Sequence, residues 1–138
     1  MIEYVESGGK LFAIILRNGY SSEGLTFFTP EHFSQQLGYM NHPGGHQIKA
    51  HVHNKVERVV EQTMEVMFVK SGKVLLDVYS ESKDLLAERE LSAGDVAFLA
   101  YGGHGMTMLE DSEIIEVKQG PYLGDMDKEK IEKWKSGE

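Results

Sequence analysis

Short apolar runs that end at a glycine or a polar turn recur along the chain, and they constrain its fold more than any other feature. Each run is four to seven residues long, which suits a β-strand and is short for a helix. Strands at this spacing predict an all-β sandwich or barrel. The predicted strands are Leu11–Leu16, Leu25–Phe28, Gln47–His53, Glu65–Val69, Val74–Tyr79, Val96–Ala100 and Glu113–Val117.

Helical signals are confined to two stretches. Thr29 and Pro30 have the cap and first-turn chemistry of a helix start, but the following residues, Phe33–Met40, fit a helix and a strand equally well. Asp127–Lys135 is predicted as a short C-terminal helix because Asp127 can cap it and a narrow apolar stripe follows.

Composition narrows the class of protein. A chain of 138 residues fits one domain, 1–138. Its 14 basic and 22 acidic residues give a net charge of -8, which argues against a nucleic acid partner. It has no cysteine, which excludes disulfides, thiol nucleophiles and iron–sulfur clusters. No apolar run approaches the roughly 18–20 residues of a membrane helix, and the acidic start lacks a signal peptide's basic region, so we expect a cytoplasmic protein and no membrane partner.

Histidines and one carboxylate form the candidate functional pattern. His51 and His53 lie two residues apart on a predicted strand, so both would point to the same face, as two ligands of one metal do. The alternative is a pair of solvated strand histidines. Glu65 opens an apolar strand, where an unpaired charge facing the core would be costly and a cation would satisfy it. His104 follows the glycine pair after another apolar strand.

These residues resemble the two motifs of the cupin superfamily. Gly45, His51, His53, Glu65 and Gly72 match G-x5-H-x-H and E-x6-G, and Gly94, Gly102 and His104 resemble the second motif. The resemblance covers about residues 40–118. It implies a double-stranded β-helix, or jelly-roll barrel, with N-terminal strands in 1–40, the barrel in 41–118, and a tail with the short C-terminal helix in 119–138. It also implies a metal bound by His51, His53, Glu65 and His104.

Several departures from the motifs leave the site partly open. Eleven residues separate His53 from Glu65, where the motif has three or four. Ala100 replaces a proline, Met108 replaces an asparagine, and His104 comes one residue early. Within the insertion, Glu57 competes with Glu65 as the carboxylate ligand. His46, five residues before His51, is either a proton-transfer group or an exposed histidine.

Three imidazoles and a carboxylate favour a divalent transition metal, namely Zn, Fe, Mn, Ni or Co, over Ca or Mg. The family that the chain resembles comprises small cupin-fold metalloproteins, some near sugar-biosynthesis genes, without an assigned reaction. We therefore expect a metal-dependent enzyme acting on a small polar substrate such as a sugar derivative, as an isomerase or epimerase or as an iron-dependent oxygenase. The alternatives are a non-catalytic metal or small-ligand binding module and a purely structural metal site. No catalytic residue is assigned from the sequence.

A homodimer is expected from the N-terminal runs Leu11–Leu16 and Leu25–Phe28. These runs add strands beyond the barrel, and exposed strand edges invite pairing with a second chain.

Overall fold

Ten strands account for nearly all the regular structure of the computed structural model, which describes residues 1–132. Every strand pair is antiparallel, so the predicted all-β class is confirmed. The strands are β1 (Ile2–Ser7), β2 (Lys10–Leu16), β3 (Gly24–Phe27), β4 (Gly38–Asn41), β5 (Glu65–Ser71), β6 (Lys73–Tyr79), β7 (Leu85–Ser92), β8 (Val96–Leu99), β9 (Gly103–Met108) and β10 (Glu113–Lys118).

Two sheets pack face to face around the main core. The larger has the order β1-β2-β8-β5-β10, and the smaller has the order β7-β6-β9. Val74, Leu76 and Val78 of β6 alternate towards the larger sheet, where they join Met67 and Val69 of β5 in one buried cluster. This alternation decides which side chains of β5, β9 and β10 face the space between the sheets.

A second core covers the outer face of the larger sheet. Ile14 and Phe98 are fully buried there, under Phe33, Leu37 and Met64. The continuous burial of β2 follows from this arrangement, because its two faces meet two different cores. β3 and β4 form a separate two-stranded sheet.

The sandwich is open along the side where β9 and β10 end the two sheets. Among residues 1–132, no strand pairs with the outer edge of β9 or with the outer edge of β10. The two sheets therefore do not close into a barrel within this part of the chain, and the double-stranded β-helix stays a prediction.

The predicted strand at Gln47–His53 is wrong. Residues 42–64, all within the described range, contain no strand or helix. A strand needs a neighbour to take its backbone hydrogen bonds, and an alternating pattern shows only that a segment is suited to one. The sequence analysis also missed β1, β7 and β9, whose many polar residues and glycines hide the alternation.

Neither predicted helix forms in the described residues. The ambiguous stretch Phe33–Met40 turns through residues 33–35 and enters β4, while Gln36 donates to the carbonyl oxygens of Pro30 and Phe33. At the C-terminus, a four-residue 3₁₀ helix, Gly124–Asp127, precedes residues 128–132, which are not helical. So short a helix with a narrow apolar stripe is marginal in water. The rest of the predicted Asp127–Lys135 helix lies outside the described residues. No helix of residues 1–132 is long and apolar enough to cross a bilayer.

Candidate metal centre

Glu65 and His104 meet in the gap between the two sheets. Glu65 is the first residue of β5 in the larger sheet, and His104 is the second residue of β9 in the smaller one. Glu65 Oε2 lies 2.7 Å from His104 Nε2. Two of the four predicted ligands are therefore in direct contact, although 39 positions separate them in the sequence.

Strand alternation aims both side chains inwards. On β5, Glu65 shares the inner face with Met67 and Val69, all three of which are buried. On β9, His104 lies opposite Val78, an inward residue of β6. Directly opposed residues of an antiparallel pair share a face, so His104 also points between the sheets.

Gly102 makes the turn that brings β9 to this position. Its φ of +73° is readily adopted only by glycine, and a Cβ built there would lie 2.1 Å from the Tyr79 carbonyl oxygen. Backbone from β6 and from the turn before β9 thus approach closely at this point. The β6–β9 register begins at the next residue, with Gly103 opposite Tyr79, and it places His104 opposite Val78.

The Glu65 carboxylate is buried and poorly satisfied. Its side chain is 10% exposed, whereas that of His104 is 32% exposed. Oε2 has no hydrogen-bond partner of normal geometry among residues 1–132, despite its short contact with the imidazole. Burial raises the pKa of Glu65, but His104, the Glu116 carboxyl and Lys118 together hold that pKa below its ordinary value. The site therefore keeps an anion in a largely buried position.

Glu116 and Lys118 extend the site along β10, and the sequence analysis missed both. Lys118 lies directly opposite Glu65 in the β5–β10 pair, and Glu116 lies opposite Met67, so both share the inner face. Hydrogen bonding to Glu65, together with partial burial and the charge of that carboxylate, raises the pKa of Glu116. The sequence did contain a signal for them. On a strand, Ile114, Glu116 and Lys118 lie on the same face, so two charged side chains share a face with an apolar one.

A cavity of about 650 Å³ surrounds these four side chains. Met67 lines the cavity with an apolar side chain and Tyr79 with an aromatic one. Gln62 and Thr63 line it from the segment before β5. The C-terminal segment also lines it, through residues 127–131.

Contacts of that C-terminal segment hold it against the cavity. Thr63 Oγ1 donates to Asp127 Oδ1 at 2.7 Å, and Lys83 pairs with Glu129. Ile131 packs where a Cβ on Gly103 would otherwise stand.

The histidine pair lies elsewhere. His51 and His53 are exposed on the irregular segment 42–64 and do not line the cavity. Their ring centroids are 5.1 Å apart, and His51 Nδ1 lies 2.7 Å from the carbonyl oxygen of Lys49.

The structure therefore brings together Glu65 and His104 but not all four predicted ligands. Within residues 1–132, no three histidine or carboxylate side chains are placed to hold a metal ion together. Glu57 is exposed on the same irregular segment, and His46 stacks on His42 with 4.0 Å between ring centroids.

No family model matches the chain, and no curated protein or solved structure is significantly similar to it.

Proposed function

We propose that the protein is a metal-dependent enzyme acting on a small polar molecule such as a sugar derivative, with its centre at Glu65 and His104. The observation that carries this proposal is the buried Glu65 carboxylate, whose Oε2 has no well-aligned hydrogen bond among the described residues and faces an imidazole nitrogen at 2.7 Å. Buried charges are normally paired with hydrogen bonds or coordinate metals.

The donor chemistry fits a divalent transition metal. One imidazole nitrogen and one carboxylate oxygen suit Zn, Fe, Mn, Ni or Co, which accept mixed nitrogen and oxygen ligands. His51 and His53 remain the proposed further ligands. Such a metal would act as a Lewis acid that polarises a carbonyl or hydroxyl oxygen of the substrate.

The remaining polar groups of the cavity suit a polar substrate. Lys118 can bind a carbonyl, hydroxyl or anionic group, and Gln62 offers both a donor and an acceptor. A cavity of about 650 Å³ has room for a molecule of sugar size.

A pair of neighbouring carboxyl groups favours isomerisation or epimerisation over the oxygenase alternative. Glu65 and Glu116 have pKa values displaced in opposite directions, and such a divergence between neighbouring carboxyls is typical of sites where one of them transfers a proton. Glu116 is the group we assign to move a proton at the carbon beside the substrate carbonyl.

A cupin-type double-stranded β-helix is the finer fold that we propose for this arrangement. Two antiparallel sheets facing each other, with the site between their inner faces, support it. The open side along β9 and β10 is where closure of the barrel would require a further strand.

The first test measures bound metal. The protein is loaded with each of the five metals in turn, and unbound metal is removed before the measurement. Wild type should retain stoichiometric metal by elemental analysis, whereas Glu65→Gln and His104→Ala should lose it. Glu57→Gln is the matched control, because it removes a carboxylate from the exposed segment. Equal metal content in the two glutamine variants would contradict the assignment.

Reaction class is tested separately, by proton NMR of a panel of sugar derivatives in deuterated water. Exchange of a carbon-bound hydrogen beside the carbonyl is expected with the loaded wild type and should fall at least tenfold in Glu116→Gln. Metal binding without exchange, and without oxygen consumption in the iron-loaded form, would instead identify a binding module.

A further inference from the structure

The segment 47–60 exposes apolar side chains that a folded protein normally covers. Ile48 is 59% exposed, Val52 is 89% exposed and Val59 is 84% exposed. Exposing several branched apolar side chains together is unfavourable at about 25 cal/mol per Å² of apolar surface. No strand of residues 1–132 pairs with this segment, so its backbone groups face solvent as well.

A receiving edge exists on β10. Its outer side has no neighbouring strand within the described chain. Ile115 and Val117 are half-exposed on the outer face of the larger sheet, next to Phe68 of β5. An apolar, unpaired edge strand is a template for a strand from elsewhere.

The period-two patterns of the two stretches match. In an extended conformation, Ile48, Ala50 and Val52 lie on one face of the segment, and His51 and His53 lie on the other. Placing the apolar face beside Ile115 and Val117 puts both histidines on the inner face, beside Glu116 and the cavity. The edge of β9 is a poorer match, because its outward residues there are Gly105 and Thr107.

Charge complementarity supports the same pairing. The segment carries Lys49, Lys55 and Arg58 against one acidic residue, Glu57, although the whole chain has a net charge of -8. The turn before β10 and the strand itself are acidic, with four carboxylates against Lys118. These are Glu110, Asp111, Glu113 and Glu116.

We propose that this segment is exchanged between two copies of the chain, so that residues 47–60 of each copy add a strand to β10 of the other. Within residues 1–132 of one chain the segment leaves its own β9 and β10 edges unpaired, which points to a second copy as its partner. A two-fold dimer covers both segments and both edges at once. Exchange also delivers His51 and His53 to Glu65 and His104 of the second copy, a consequence that rests on the proposed metal centre.

Strand exchange is tested first without metal. Light scattering should give twice the 15.5 kDa chain mass, and Val52→Lys should shift the protein to the monomer. Leu85→Lys, at a half-exposed apolar residue of β7 in the other sheet, should leave the dimer intact. A wild type of 15.5 kDa overturns the proposal.

Contact between copies is then located by cysteine cross-linking, which is clean because the chain has no cysteine. Val52→Cys protein is refolded together with either Ile115→Cys or Val117→Cys protein and air-oxidised. A disulfide-linked dimer containing both variants should form with at least one of these two. Leu85→Cys is the control partner, and cross-linking with it at equal yield overturns the assignment to β10.

Metal complementation tests the delivery of the histidines. Two double variants, His51→Ala/His53→Ala and Glu65→Gln/His104→Ala, should each bind no metal alone. After the two are refolded together, about half of the dimers contain one chain of each variant, and each such mixed dimer has one complete site out of two. About a quarter of the wild-type metal per chain should therefore return. Failure of the mixture, with a metal-binding wild type, overturns delivery between copies and leaves the metal centre standing. A cross-linked dimer whose wild type binds no metal supports exchange and rejects the proposed function.

Discussion

His104 and Glu65 join the two sheets of the sandwich at its open side, with 2.7 Å between Nε2 and Oε2. Glu65 belongs to β5 of the larger sheet and His104 to β9 of the smaller one. A shift of one sheet relative to the other would therefore change the distance between the carboxylate and the imidazole in the cavity. A buried carboxylate here is retained only if a cationic or metallic partner offsets its desolvation.

Replacement of Glu116 by glutamine should stabilise the protein at neutral pH. The raised pKa of Glu116 means that its protonated form favours the folded state, and this contribution is lost as pH rises through that pKa. Removing the charge beside Glu65 should therefore raise the free energy of unfolding at pH 7, by no more than about 1 kcal/mol because Glu116 is exposed. Urea unfolding should show the gain shrinking as pH falls through the raised pKa of Glu116 and absent below 4.5, the ordinary value for this carboxyl. An equal gain at pH 7 and below pH 4.5 would contradict the repulsion between the carboxyls of Glu65 and Glu116.

Acid should weaken the ion-pair network that ties β1 of the larger sheet to β7 of the smaller sheet. Glu3 contacts Arg17 at 2.6 Å and Arg89 at 3.1 Å, and hydrogen bonding to Arg17 lowers the pKa of Glu3. A lowered pKa gives stability that is complete above the ordinary value of 4.5 and is lost as pH falls through the lowered value. Glu3→Gln should cost about 0.5–1 kcal/mol at pH 7 and flatten the acid side of the melting profile. Glu6→Gln, on the same strand, is the control, and equal effects of the two substitutions would show that the network is not responsible.

Leu76 should be among the costliest truncations. It is fully buried between the sheets on β6, so Leu76→Ala removes apolar contacts and leaves a cavity. We expect a loss of about 2–5 kcal/mol in the free energy of unfolding. Leu85→Ala is the matched control on β7, where 47% exposure predicts a change of about 0.5 kcal/mol or less. Similar losses from both leucines would mean that the core is not packed as described.

Gly102→Ala should destabilise the turn before His104 more than glycine conformation alone explains. Gly9 has a similar φ, +76° against +73°, but a Cβ there would meet no heavy atom of the described residues within 4 Å. Gly9→Ala should therefore cost about 1–2 kcal/mol for the left-handed backbone. Gly102→Ala should cost about twice that or more, because its Cβ would overlap the Tyr79 carbonyl oxygen. Thermal unfolding of both variants measures the difference, and equal costs would argue against the close approach.

Much of the strand content follows from local sequence. The runs Leu11–Leu16 and Val74–Tyr79 were predicted to within one residue of β2 and β6. An apolar run of that length between two turns favours a buried strand, because it is short for a helix. Gln47–His53 has an equally good alternation and forms no strand within the described chain. The difference lies in the neighbour, since a strand is stable only where another strand accepts its hydrogen bonds.

The sequence by itself determined the all-β class and named Glu65 and His104 as candidate ligands. Its alternation of residues along each strand also determined which nearby residues lie on the same strand face as each of these two. Tertiary structure alone decided that these two faces meet, that Glu116 and Lys118 join them, and that His51 and His53 lie apart from the cavity. Side-chain direction along a strand depends on the backbone's own period of two, which the sequence displays. Sheet order and register depend on contacts between residues far apart in the chain, such as the pairing of Lys118 with Glu65, and no local pattern encodes those.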